Sequence, residues 1–202
     1  MKQWIYDWGG ANAALFHALN SNHAQWLDHM MLALTWAGDH NRFALYVSFI
    51  ALVTWWRIAR YPDSPVAREW MLALATFAIA YVLDGFLVTG LKSYMDLPRP
   101  SLVFSPDSLV VVGAAEFHHS FPSGHASFAA LFATVLWACT RSLALRIALA
   151  LYVVAVCLSR PYLGFHFPAD VFFGSLMSVL LAVGVRAALR RWTPSRVRQV
   201  EL

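Results

Sequence analysis

Three clusters of side chains in this sequence have the types and spacing to act on one chemical group. The first is Lys92-Ser93-Tyr94-Met95-Asp96-Leu97-Pro98-Arg99-Pro100, the second Pro122-Ser123-Gly124-His125. The third is Ser159-Arg160, followed after five residues by His166 and four positions later by Asp170. Lys92, Arg99 and Arg160 suit a phosphate ester, arginine giving paired donors in a planar fork and lysine a compact point charge. Ser123 and Gly124 stand where an apolar helix is expected to begin, so free backbone N–H groups and the positive dipole end favour an anion there. The missing side chain at Gly124 lets backbone approach an oxygen closely. His166 and Asp170 are one helical turn apart, and Pro168 between them fits a first turn. An aspartate on one imidazole nitrogen fixes the tautomer and leaves the other nitrogen free as a nucleophile. His125 is then available as general acid for a leaving oxygen.

The elements that must position these residues are membrane helices. Of 202 residues, 59% are hydrophobic and 13% charged, against about 45–50% and about 25% in soluble domains. Such a balance excludes a disordered, fibrous or nucleic-acid-binding chain and speaks against an ordinary soluble enzyme. Two cysteines, Cys139 and Cys157, are too few for a disulfide framework. Five stretches approach the ~20 apolar residues of a transmembrane helix: about 43–59, 70–91, 124–140, 142–158 and 170–189. The expectation is an all-α, polytopic transmembrane bundle forming one domain over 1–202. Its parts are an N-terminal region (1–42), a core bundle (43–189) and a basic cytoplasmic tail (190–202). The N-terminal region is read as two amphipathic segments lying in the interface, with a sixth, partly polar span as the alternative. Asn12, His17, Asn20, Ser21, Asn22, His23, Asp28 and His29 interrupt its apolar stretches.

Orientation follows from lysine and arginine in the joints. Arg57, Arg60, Arg68, Arg141, Arg146, Arg186, Arg190, Arg191, Arg196 and Arg198 fall on one side, ten of the fifteen basic residues, and that side is read as cytoplasmic. These ten are expected to meet only lipid head groups. Arg42, Lys92, Arg99 and Arg160 fall on the other, with Lys2 unassigned. Trp55, Trp56, Trp70, Trp137 and Trp192 sit at the cytoplasmic ends, as an interfacial belt would place them. All three clusters thus share the outer face, where charge near lipid is costly and marks function by default.

Several further residues have two readings. Asp84 either supports Lys92 from the same helix face or bonds a neighbouring helix. His118 and His119 are read as solvated loop residues rather than as lining the site. His17, His23, His29 and His40 show no spacing of a tight metal-ligand set, and Cys139 and Cys157 lie too far apart to pair. The loop from Ser101 to Phe121 is apolar for an exterior segment (Leu102-Val103-Phe104, Leu109 to Val112). It is either a lid that guides a lipid tail or a loop packed on the bundle.

Taken in order, the three clusters resemble the three-part signature of the type 2 phosphatidic acid phosphatase superfamily, with no departure at a signature position. The resemblance runs from Lys92 to Asp170 and implies a helical bundle and a metal-independent phosphatase without cofactor. It also implies that His166 forms a phosphohistidine supported by Asp170, and that His125 protonates the leaving group and later helps activate water. By the same resemblance, Lys92, Arg99, Ser123, Gly124 and Arg160 hold the phosphoryl oxygens. Substrates by resemblance are undecaprenyl pyrophosphate, phosphatidylglycerol phosphate, phosphatidic acid and lipid A phosphates, reached at the outer face of the plasma membrane. Membrane lipids are then the partners, with no nucleic acid and no obligate protein. The alternatives are a lipid phosphotransferase and, from a different class, an inactive anion-binding or transport protein.

Overall fold

A computed structural model describes residues 6–192, and its regular elements are helices. Two short helices, α1 (Ala11–Asn20) and α2 (Gln25–Ala37), precede α3 (Phe43–Arg60) and the long α4 (Pro65–Met95). A single turn, α5 (Pro100–Val103), opens the loop that leads to α6 (Gly124–Trp137), α7 (Leu143–Tyr162) and α8 (Pro168–Trp192). Local chemistry explains the starts. Ser64 Oγ accepts the Ala67 N–H at 3.1 Å with Pro65 in the first turn, and Ser142 Oγ accepts the Leu145 N–H at 3.4 Å. These are side-chain caps that satisfy helix donors left without partners.

Four helical stretches, His40–Arg60, Pro65–Val103, Leu143–Tyr162 and Pro168–Trp192, are long and apolar enough to cross a membrane. The expected span at 124–140 is shorter. Helix α6 ends at Trp137 after 14 residues, about 21 Å at ~1.5 Å per residue. It is the most enclosed helix of the bundle, packed between α4, α7 and α8, with Ala126 to Leu131 all buried. A helix wrapped by others meets little lipid, so its length is not set by bilayer thickness.

Small residues bring these helices together. Ala73 and Ala80 on α4, Ala126, Ala129, Ala130 and Ala133 on α6, and Ala182 on α8 are buried, as close packing without a water-driven force requires. Phe77 and Phe128 fill the centre with Ile50 and Leu131. At Gly174 on α8 an added Cβ would stand 2.7 Å from the Ser123 carbonyl oxygen, so only glycine lets α8 lie against the Ser123 backbone. Asp84 takes the second of its two readings: its carboxylate accepts from Ser127 on α6 and Ser178 on α8. It ties three helices at mid-bundle.

At the opposite end from the loop, Arg186 and Arg190 pair with Glu69. The expectation that all ten cytoplasmic-side arginines meet only lipid head groups therefore fails for these two, because α8 returns beside the start of α4, and also for Arg68 and Arg146, which donate to the Asp63 and Thr140 carbonyls. Lys2, Arg196 and Arg198 lie outside the described residues, as does most of the expected tail. Cys139, just past the end of α6, and Cys157, within α7, are free and partly buried thiols.

Neither α1 nor α2 is long enough to span. Both pack on the bundle, α1 on α7 and α8 and α2 on α7. Their polar residues are anchors. Asn12 Oδ1 accepts the Ala169 N–H at 2.9 Å, and Asn20 Nδ2 donates to the carbonyls of Val110 and Tyr162 at 2.8 and 2.7 Å. Asn20 Oδ1 also accepts the Val110 N–H at 2.9 Å, which together with Val112 N–H to Leu163 O at 3.2 Å holds the 109–112 stretch on the bundle. Leu102, Val103 and Val110 nevertheless stay exposed.

Candidate functional site

The starts of α6 and α8 and the end of the long α4 converge at the end of the bundle that carries the 101–121 loop. At about 46 Å (31 residues at ~1.5 Å each) α4 outreaches a hydrocarbon core of ~30 Å, and Lys92 sits in its last turn. Lys92 Nζ donates to the His119 carbonyl at 2.8 Å. Arg99, buried just before α5, donates from Nε to His118 O at 2.9 Å and from Nη1 to Phe165 O at 3.1 Å. Its Nη2 meets Glu116 at 2.6 Å. Arg160, in the last turn of α7, is also buried and donates to Thr35 of α2. Its Nε and the Ser123 Oγ, both buried, have no hydrogen-bond partner among the described residues.

The spacing argument for His166 and Asp170 needs one correction. His166 lies ahead of α8, and only Asp170 is in its first turn. Asp170 Oδ2 accepts the Phe167 N–H at 2.8 Å, the reach-back of a carboxylate at a helix N-terminus that satisfies an end donor. The same oxygen accepts from Ser120 Oγ at 2.6 Å and lies 3.3 Å from His166 Nδ1. The Tyr6 hydroxyl donates to Oδ1 at 2.8 Å.

This arrangement selects a tautomer. Arg99 Nη1 lies 3.4 Å from His166 Nε2, and a guanidinium can only donate. Nε2 therefore carries a lone pair, and Nδ1–H donates to Asp170. Burial, then the charges of Arg160, Arg99 and Lys92, hold the His166 imidazole well below its usual pKa, so it stays neutral. A neutral imidazole whose Nε2 is unprotonated and held only by a long contact to Arg99, oriented by a carboxylate, is a competent nucleophile.

His166, Lys92, Arg99, Arg160, Gly124 and His125 line one cavity of 640 Å³. Six of the eight expected site residues thus line one cavity, with Ser123 buried next to Gly124 and Asp170 behind His166. A Cβ at Gly124 would meet only Val88 Cγ1, at 3.8 Å. Glycine here keeps the cavity side of the helix start open rather than relieving a protein clash. The rings of His118 and His119 are exposed beside Asp96, in line with the solvated reading, while their carbonyls take Arg99 and Lys92. Sequence reasoning missed Tyr6, Thr35, Glu116 and Ser120. Each is an ordinary polar residue far from its partner along the chain, with no local pattern to mark it.

Fold and site together define a polytopic helical membrane protein whose histidine–aspartate pair faces three cations. The description of the PAP2 superfamily matches residues 71–194, and the chain belongs to that superfamily. It is an enzyme of the PAP2 phosphatase type. Its fold is similar to the crystal structure of Aquifex aeolicus LpxE (TM-score 0.71, 24% identity, over 87% of this chain and 94% of that one). It is equally similar to a transmembrane PAP2-type phosphatidylglycerolphosphate phosphatase from Bacillus subtilis (TM-score 0.71, 23% identity, over 93% and 89%). At these identities the likeness concerns the fold. Both matches extend over most of the chain, so they take in much of the N-terminal region that the family description leaves out.

Proposed function

We propose that this protein removes a phosphoryl group from a lipid phosphate or lipid pyrophosphate, through a phosphohistidine and without a metal, at the outer face of the plasma membrane. The observation that carries the reading is the lone pair on His166 Nε2, held by Asp170 and directed among Arg99, Arg160 and Lys92. Nε2 attacks phosphorus, the bond to the leaving oxygen breaks, and His125 gives that oxygen its proton. Water then attacks phosphorus, His125 takes a proton from it, and the P–N bond breaks to free phosphate and return His166. Three cations and the N–H groups at the start of α6 stabilise the charge on the equatorial oxygens. The cavity continues along α4 past Val82 and Phe86, both largely exposed on the lipid side. A substrate anchored by its tail reaches the cations along this wall.

The test is phosphate release from vesicles carrying phosphatidic acid, phosphatidylglycerol phosphate or a prenyl pyrophosphate, with chelator present. Release in chelator, an acid-labile phosphoenzyme, and loss of both in His166→Asn support the reading. A strict metal requirement, or activity retained in His166→Asn, overturns it. Phosphate recovered on a second lipid instead of in water would assign a phosphotransferase.

A further inference from the structure

The Asp170 carboxylate is held unevenly. Oδ2 serves three donors, Ser120 Oγ, the Phe167 N–H and His166 Nδ1, of which the histidine is the most distant at 3.3 Å. Oδ1 receives the Tyr6 hydroxyl at 2.8 Å, from a residue 164 positions away. Rotation about the bond to the carboxyl carbon would carry Oδ2 off the imidazole, and the Tyr6 contact opposes it. The Tyr6 ring is itself fixed, edge-on to Phe121 at 6.0 Å and to Phe167 at 5.9 Å. These two residues flank Ser120 and His166, so one ring braces both segments that supply the carboxylate's other donors. Burial and the neighbouring carboxylate push the Tyr6 hydroxyl far above its usual pKa, so it is a donor at every working pH. The groups facing Asp170 are then Tyr6 from the N-terminal segment, Ser120 from the loop, His166 ahead of α8, and the charges of Arg99 and Lys92.

We infer that Tyr6 is a positioning residue for phosphoryl transfer, whose hydroxyl clamps Oδ1 of Asp170 so that Oδ2 stays on His166 Nδ1. This rests on the reading of His166 as nucleophile. It goes beyond that reading by extending the working site to a residue ahead of the family-matched segment 71–194. A hydrogen bond to a charged group is among the stronger ones, and here it acts on the group that meets the positive charge forming on His166 during attack. Its loss should therefore appear in turnover and leave binding alone, since Tyr6 is not among the residues lining the cavity.

The experiment compares Tyr6→Phe, Tyr6→Ala and His166→Asn in full-length protein, assayed on phosphatidic acid vesicles. Tyr6→Phe keeps the ring contacts and removes only the hydroxyl. It should lower kcat about tenfold with KM changed less than about twofold, and lower the midpoint of thermal unfolding by only a few degrees, clearly less than Tyr6→Ala does. In 15N spectra, the His166 Nδ1–H signal should move towards a mixed tautomer. Wild-type kcat in Tyr6→Phe, or a loss confined to KM, or an unchanged tautomer signal, overturns the inference. If only Tyr6→Ala loses activity, together with stability, Tyr6 is a packing residue and the inference fails. Activity in His166→Asn would instead sink the proposed function itself, so the two failures are distinct.

Discussion

Ser123 carries a fully buried hydroxyl with no hydrogen-bond partner among the described residues and no role in capping the helix it precedes. Such a group costs about 1–3 kcal/mol of folding free energy. Its neighbour Gly124 opens onto the cavity with room around it. A hydroxyl that is a burden to the fold and stands beside a cluster of cations is explained if it serves a bound oxygen. Ser123→Ala should therefore separate the two effects. Folding stability should be unchanged or higher by up to ~1 kcal/mol, while kcat/KM for a lipid phosphate falls about tenfold, the worth of one hydrogen bond to a charged group. Thermal unfolding in detergent beside phosphate-release kinetics reads both. A variant that is less stable yet fully active would show the hydroxyl to be structural.

Among the elements, α1 and α2 show what local pattern hides. The three signature clusters are readable in sequence because their chemistry is compressed into runs of nine, four and twelve residues. The spans are readable because lipid demands apolar length. Asn12, Asn20 and Asp28 look like interruptions of an apolar run, yet each makes a contact that only the folded chain creates. Asn20 alone reaches Val110 and Tyr162, 90 and 142 positions away, and Tyr162 donates to Asp28 at 2.6 Å. The end of α6 is hidden for a related reason, since residues 138–140 stay apolar or neutral after the helix has stopped. Asn20→Ala removes three hydrogen bonds to backbone at once, besides a long one to His23, and leaves the Val110 and Tyr162 backbone groups without them. A cost of about 3 kcal/mol is expected, at roughly 1 kcal/mol per bond. Limited proteolysis should then cut within 101–121 much faster than in the parent protein, with a lowered unfolding temperature. An unchanged cleavage rate would mean that Asn20 does not hold this loop.

For the molecule as a whole, the ends of the bundle differ in what their basic residues do. At the site end, Lys92, Arg99 and Arg160 are committed to the cavity and Arg42 lies over the Trp36 ring. At the other end stand Arg57, Arg60, Arg68, Arg141, Arg146, Arg186, Arg190 and Arg191. The pairing of Arg186 and Arg190 with Glu69 does not weaken the bias, because orientation follows lysine and arginine near the span ends and acidic residues contribute little. The eight-to-four excess therefore makes a cytoplasmic turn between α3 and α4, with the site on the opposite face, the expected outcome. Single cysteines at Asp107, in the loop beyond α5, and at Tyr61, in the α3–α4 turn, would read this directly. Both positions are exposed, and both variants belong in a background with Cys139→Ala and Cys157→Ala. A membrane-impermeant maleimide added to intact cells, or to spheroplasts where an outer membrane is present, should modify Asp107→Cys and spare Tyr61→Cys until the inner membrane is opened. The reverse pattern would place the site in the cytoplasm, where it would meet lipid phosphates made on that leaflet rather than those carried across.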